Sequence, residues 1–368
     1  MKNYLNFETE IKNIENEIEK LKDPFNKEGI SQVDTKKIDK LEKDLEYKIK
    51  KIYSKLDPWQ TTLVARHEER PKTKFFIDNL FTDFFPLHGD RLFGEDKSLI
   101  AGLGKFDNYS VMIIGQEKGD DLESRIQRNF GMMRPEGYRK SIRLMKLADK
   151  FNLPIIFFID TPGAYPGVGA EERGQAEAIA RSIECSMSLG APTISIIIGE
   201  GGSGGAIALA STNKVLMLEN AIYSVISPEG CASILWRDPK KTLEAATAMK
   251  LTSKDLLELK IIDEIIPEPN GGAHRDKNLI LFNIKNSIQK NLDYLTTKSR
   301  DEIISLKKDK FLNIGRDKGL SNNILSSDKL FTNNTLDVLK SGKFFVSKNK
   351  YAILFILFLL ILTISYFS

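Results

Sequence analysis

The sequence predicts an α/β domain with helix-covered sheets, and three observations carry that prediction. Apolar runs of strand length recur at 98–106, 111–116, 154–160, 193–199, 214–218 and 261–266. Helical patterns separate several of them, notably 137–151, with Ile142, Leu144, Met145 and Leu147, and 171–189. Strands alternating with helices specify sheets covered by helices. The third observation is a punctuated junction: the β-branched run Ile194 to Ile198 is followed by five glycines within seven positions, Gly199 to Gly205, and then by a small-residue stretch of helical preference.

In chain order, residues 5–56 are charge-rich, with apolar residues three and four apart: Ile11, Ile14, Ile18 and Leu21, then Ile38, Leu41, Leu45, Ile49, Ile52 and Leu56. Pro24 and Gly29 break the pattern, so a helical hairpin is expected, its narrow apolar stripe packing on a partner helix or on the main domain. The main body spans about 75–267, and a shorter helical stretch follows at 276–295. Residues 300–350 are polar and rich in Asn, Ser and Lys, which reads as a linker. Residues 351–368 carry no charged side chain. A membrane span needs at least ~17 apolar residues, so this tail is just long enough. Lys343, Lys348 and Lys350 precede it and favour a cytoplasmic flank. The expected organisation is therefore a hairpin at 1–60, a main domain at 61–298, a linker at 299–350, and an apolar tail at 351–368 expected to act as a membrane anchor.

With 368 residues the chain can bury an ample core. A net charge of +4, without a basic stripe interleaved with aromatics, argues against a nucleic-acid partner. Cys185 and Cys231 are isolated, so they support neither a disulfide framework nor a Cys-x-x-Cys metal site, which suits a reducing cytoplasm. The first ten residues contain no apolar h-region, so no signal peptide is expected.

The glycine-rich junction admits several readings. Glycines let a ligand approach the main chain, and the unpaired amides of a helix start point toward an anion or an oxygen gaining charge, which is how a backbone oxyanion hole is built. Gly199-x-Gly201-x-x-Gly204 also fits a dinucleotide fingerprint, with Glu219 about the expected ~20 residues on. Gly201-Gly-Ser203-Gly-Gly205 fits a nucleophile elbow, with Asp263 and His274 following in hydrolase order. A tight turn that serves packing alone fits too. A second loop, Thr161-Pro-Gly-Ala-Tyr-Pro-Gly-Val-Gly169, follows the strand-like run at 154–160, where α/β folds place ligands. A third turn follows Ser224, and three such turns after three strands would line one cleft.

Several longer motifs carry a family resemblance. Arg128-Asn-Phe-Gly-Met132, Pro135-Glu-Gly-Tyr-Arg-Lys140, Asp160 to Gly167, Gly169-Ala-Glu-Glu-Arg-Gly-Gln175, Gly199 to Gly205, Tyr223 to Trp236 and Ile265 to Arg275 together resemble the α subunits of bacterial acetyl-coenzyme A carboxylase carboxyltransferases. The resemblance covers residues 1 to about 295. It implies a crotonase-like fold of stacked ββα units and transfer of a carboxyl group from carboxybiotin, on its carrier protein, to acetyl-CoA, giving malonyl-CoA. It implies that the amides of Gly204 and Gly205 form an oxyanion hole for the biotin ureido oxygen. Gly163, Ala164, Tyr165, Pro166 and Gly167, with Gly201 and Gly202, would wall the cleft. Arg125, Arg128, Arg139 and Lys140 would meet coenzyme A phosphates or a partner. His67, His88 and His274 are expected to serve structure.

The resemblance also implies partners: a β subunit that carries a zinc ribbon and completes an α2β2 assembly, the biotin carboxyl carrier protein and biotin carboxylase. No metal and no covalent cofactor is expected in this chain, and the location is expected to be cytoplasmic, tail-anchored at the inner membrane. The family pattern Gly-His-Gln-Lys-Gly-Arg is replaced here by Gly115-Gln-Glu-Lys-Gly-Asp120, exchanging a positive charge for a negative one. Asp120 and Asp121 argue against a phosphate contact at this loop.

Overall fold

The computed structural model describes residues 3–22 and 35–315. The chain divides into two units, Met1–Leu312 and Asn313–Ser368, and only residues 313–315 of the second are described. The hairpin turn with Pro24 and Gly29, most of the expected linker and the apolar tail therefore lie outside the described residues.

The described core is built on one sheet with strands β1 Thr82–Pro86, β2 Leu99–Phe106, β3 Tyr109–Gln116, β4 Ile155–Thr161, β5 Thr193–Gly202, β6 Lys214–Leu218, β7 Ile222–Ser224 and β8 Glu264–Ile266. Spatial order is β1-β2-β3-β4-β5-β6-β8, with β7 paired to the end of β5. The first two ladders, β1 with β2 and β2 with β3, are antiparallel, and all later ones are parallel. Every residue of β4 and β5 is buried. Their near-continuous apolar runs are what a parallel strand covered on both faces demands. β1, with Pro86 at its end, is the exposed edge where a missing N–H is harmless.

Helices Pro135–Lys150 and Gln175–Ser188 pack together over the sheet. Their apolar faces, including Leu144, Met145 and Ala178, join the main core. The single helix expected at 171–189 is two, Val168–Glu172 and Gln175–Ser188, because Gly174 adopts φ +80° between them. The hairpin helices are Thr9–Lys22 and Thr35–Tyr53, burying Ile11, Ile18, Ile38 and Ile49. Arg275 ties the hairpin to the main body by pairing with Glu8 at 3.3 Å and Glu15 at 2.8 Å.

One boundary differs from expectation. Residues 300–313, expected to begin the linker, form a helix Arg300–Asn313 that buries Ile303 and Lys307. Its polarity misleads because the element is held by polar contacts: Arg300 pairs with Asp149 at 2.7 Å, and Lys307 Nζ donates to the carbonyls of Ser186 and Leu189 at 2.7 and 2.8 Å. Among the described residues, no helix is long and apolar enough to cross a membrane.

Candidate active site

Parallel strands bring three loops to one edge. Thr161 pairs with Gly201 across the β4–β5 ladder, and Gly202 pairs with Ser224 across β5–β7. The loops after β4, β5 and β7 thus leave side by side, as the sequence suggested.

The glycines of the junction divide into two kinds. A Cβ on Gly202 would overlap the Pro162 carbonyl, and one on Gly205 would lie 2.6 Å from the Gly163 carbonyl carbon and 2.9 Å from Ala164 N. These positions let the turn press against the Gly163–Gly167 loop, so part of the motif does serve packing. Gly204 is different: a Cβ there would make only ordinary contact with Ile179, at 3.5 Å. It is half-buried at the second position of helix Ser203–Ala210. No side chain caps that helix. Its opening amides, those of Gly204 and Gly205 among them, are the ones an α-helix leaves without intrahelical acceptors. Ser203, exposed, takes φ +50°, a left-handed conformation that costs a non-glycine residue energy and tends to be kept where a site needs it.

The facing loop is held rigid. Thr161 Oγ1 donates to Gly163 O at 2.7 Å, and Tyr165 N donates to Met133 O at 3.0 Å. Gln175 Nε2 donates to Tyr165 O at 3.0 Å, and Arg134 stacks over the Tyr165 ring at 4.6 Å. The Tyr165 ring folds back over Gly167, where a Cβ would collide with it. Pro166 is exposed at the tip.

Beside the turn lies a cleft of about 390 Å³ whose wall includes Arg66, Lys118, Arg125, Asp160, Pro162 and Glu200. Gly204 and Gly205 are not part of that wall; the cleft and the turn share the ends of β4 and β5. The cleft holds a chain of paired charges, buried at Asp160 and Glu200 and half-buried at Lys118 and Arg66, that sequence reasoning did not assemble. Lys118 Nζ lies 2.8 Å from Asp160 Oδ1 and 2.6 Å from Glu200 Oε2. Arg66 meets Glu200 Oε1 at 2.6 Å and Glu229 at 2.6 Å. Burial disfavours ionisation of Glu200, but Lys118 and Arg66 override it and bring its pKa down to about 2. Burial also works against the Lys118 ammonium, yet Asp160 and Glu200 hold its pKa above the ordinary value. The signal available in the sequence was a lysine, an aspartate and a glutamate at or just past the ends of three apolar strand-like runs.

The basic residues named from sequence separate. Arg125 borders the cleft, with Nε on Gly119 O at 3.3 Å and a loose pairing to Glu68 at 3.4 Å. Arg128 donates to Lys97 O at 2.7 Å. Arg139 and Lys140 are not part of the cleft wall. Arg139 pairs with Asp90 at 2.9 Å, and Lys140 is buried, its Nζ on Glu95 at 2.5 Å and Leu99 O at 3.0 Å. They fasten the 88–97 loop to helix Pro135–Lys150. Asp121, next to the changed position 120, caps helix Leu122–Gln127 through Ser124 N at 2.8 Å. Asp120 is exposed, 3.6 Å from Lys72.

The rival readings of the glycine run lose their geometry. His274 stacks on His67 with ring centroids 3.9 Å apart, and Asp263 accepts from Lys310 at 2.5 Å and Val215 N at 2.7 Å. Among the described residues no hydrogen bond joins either one to Ser203, so no triad is formed. Burial drives the His274 pKa down to about 2, which keeps the ring neutral. Glu219 accepts from Glu268 N at 3.2 Å, a structural contact. Among the described residues no group of three or more His, Cys, Asp or Glu side chains is placed to hold a metal.

Comparison with known proteins agrees with this architecture. Residues 4–315 match the family model described as acetyl co-enzyme A carboxylase carboxyltransferase-like. The chain is 78% identical over 293 residues, 80% of each chain, to the acetyl-coenzyme A carboxylase carboxyl transferase subunit alpha of Pelagibacter ubique. It is 55% identical over 299 residues to that of Zymomonas mobilis, covering 80% of this chain and 93% of that one. Among solved structures, transcarboxylase 12S with methylmalonyl-coenzyme A and methylmalonic acid bound is similar in fold, with a TM-score of 0.51 and 18% identity over 62% of this chain and 42% of that one. The fold is crotonase-like, and the chain belongs to the family of acetyl-coenzyme A carboxylase carboxyltransferase α subunits.

Proposed function

We infer that this chain works with a β subunit to move a carboxyl group from carboxybiotin, presented on its carrier protein, to acetyl-CoA. In that reaction the N–CO2 bond of carboxybiotin breaks and its electron pair passes to the ureido group, loading charge on the ureido oxygen. The α-carbon of acetyl-CoA loses a proton to the biotin ureido nitrogen, and the resulting carbanion forms the new C–C bond to CO2. The products are biotin and malonyl-CoA.

The observation that carries the site reading is the uncapped start of helix Ser203–Ala210, pressed against Gly163 and Ala164 at the C-terminal edge of parallel strands. In this reading the N–H groups of Gly204 and Gly205 receive the ureido oxygen as its charge develops, a role that needs fixed donors and no reactive side chain. Gly163 to Gly167 shape the wall, Gly201 and Gly202 allow the close approach, and Arg125, on the cleft wall, would with Arg128 meet an anionic substrate or the β subunit. The thioester oxygen belongs to the β subunit, which also carries the zinc, and biotin carboxylase recharges the carrier.

The test is malonyl-CoA formation from acetyl-CoA and carboxylated carrier, using this chain co-expressed with the β subunit of the same organism. Activity that requires both chains supports the reading; a stable complex without activity overturns it. Cytoplasmic residence with anchoring by residues 351–368 is a separate proposal resting on sequence alone. Recovery of the chain in a high-speed supernatant without detergent would overturn the anchor.

A further inference from the structure

We propose that Gln116 is a positioning residue for the oxyanion turn: its side-chain amide clamps Gly205 from beneath the sheet edge. Gln116 ends β3 and is fully buried. Its Nε2 donates to Gly205 O at 2.7 Å, with Met133 Sδ 3.5 Å away. A carbonyl can only accept, so the amide must turn its nitrogen to Gly205. That orientation leaves Oε1 buried with no hydrogen-bond partner among the described residues. A buried oxygen left without a partner is destabilising. A residue chosen for stability alone would not keep that arrangement, whereas one that must hold Gly205 would.

The clamp acts where the turn has least freedom of its own. Gly205 is squeezed against Gly163 and Ala164 on one side, and Ser203 two residues earlier is in a left-handed conformation. Without a third contact, the Gly204–Gly205 segment can relax away from the Gly163 loop. Gln116 supplies that contact from a strand that is itself anchored, since its main-chain oxygen accepts from Thr73 Oγ1. The effect on catalysis runs through Gly205 alone; Gln116 touches no substrate. The inference therefore rests on the assignment of Gly204 and Gly205 as donors.

The test compares wild type, Gln116→Leu, Gln116→Met and Gln116→His as complete complexes with the β subunit, each scored for kcat, KM for acetyl-CoA and Tm, with Gly204→Pro alongside. Leu and Met remove the donor together with the orphaned oxygen. The expected result is a kcat about 10–100-fold lower in both, the scale of loss from a small misplacement of catalytic groups, with KM held within about threefold and Tm not lowered. Gln116→His, which restores an N–H, should recover most of kcat. A kcat that stays at wild type in Leu and Met while Gly204→Pro is inactive overturns the clamp alone. A fall in kcat that merely tracks a falling Tm, or a higher KM at constant kcat, also overturns it. A wild-type kcat in Gly204→Pro overturns the donor assignment beneath it.

Discussion

Asp160 fills the space that a side chain at position 199 would need: a Cβ on Gly199 would lie 2.5 Å from Asp160 Oδ1. The same oxygen accepts from Glu200 N at 3.0 Å and meets Lys118 Nζ at 2.8 Å. The missing side chain of one strand thus houses the carboxylate of its neighbour, and that carboxylate locks the strand end from which the glycine turn departs. Gly199→Ala should therefore displace Asp160 from two partners at once. The expected cost is about 1–3 kcal/mol, typical of overpacking in a filled core, read from urea midpoints, with a parallel loss of carboxyltransferase activity.

Lys118 is the cation between two buried carboxylates, so its removal should hurt more than the loss of either acid. Lys118→Met leaves Asp160 beside Glu200 without the ammonium that bridges them, and breaking such a pair typically costs about 3–5 kcal/mol. Glu200→Gln should be milder at neutral pH, and its effect should depend on pH in a definite direction. The folded pKa of Glu200 is about 2, below its ordinary 4.5. Its contribution is thus complete above pH 4.5 and is lost as pH falls toward 2. The gap in urea midpoint between wild type and Glu200→Gln should be constant from pH 7 to about 5 and close below that.

Gly204 tests the backbone donors without a steric confound. Gly204→Ala keeps the N–H and meets only Ile179 at 3.5 Å, so folding and assembly should be unchanged and kcat should stay within a few-fold of wild type. Gly204→Pro removes the N–H in the first turn of a helix, where proline is tolerated. Loss of one oxyanion donor commonly costs about 10²–10³ in kcat, and that gap between the two variants is the expected reading in single-turnover carboxyl transfer.

Lys307 makes the docking of the last described helix sensitive to alkaline pH. Burial lowers its pKa from 10.5 to about 8. The unfolded chain therefore binds the proton more tightly than the folded one between those values, and stability should rise with pH across that window. Wild type compared with Lys307→Met, by urea midpoint from pH 7.5 to 10, should shift in favour of wild type as pH increases. A constant difference would mean that the ammonium is not desolvated.

Much of the site was legible because backbone function writes itself in glycine. The turn at Gly199 to Gly205, the loop from Gly163 to Gly167 and their placement at strand ends followed from apolar runs ending in glycine. What the letters could not separate was which glycines are open and which press against another loop. That depends on what lies across each Cα: Pro162 and Gly163 against Gly202 and Gly205, ordinary contact against Gly204. Arg139 and Lys140 show the same limit from the other side, since a basic helix face looks alike whether it meets solvent or Asp90 and Glu95.

The sequence by itself determined the strands, the hairpin helices and the chemistry-bearing turns, because each is encoded by residues close together in the chain through hydrophobic period and glycine punctuation. The tertiary structure alone decided the ion chain Arg66–Glu200–Lys118–Asp160, the Gln116 contact to Gly205 and the helix Arg300–Asn313. All three depend on partners 40 or more residues apart. Charge pairing and buried hydrogen bonds act between atoms a few ångströms apart, wherever the chain has brought them, and leave no local period to read.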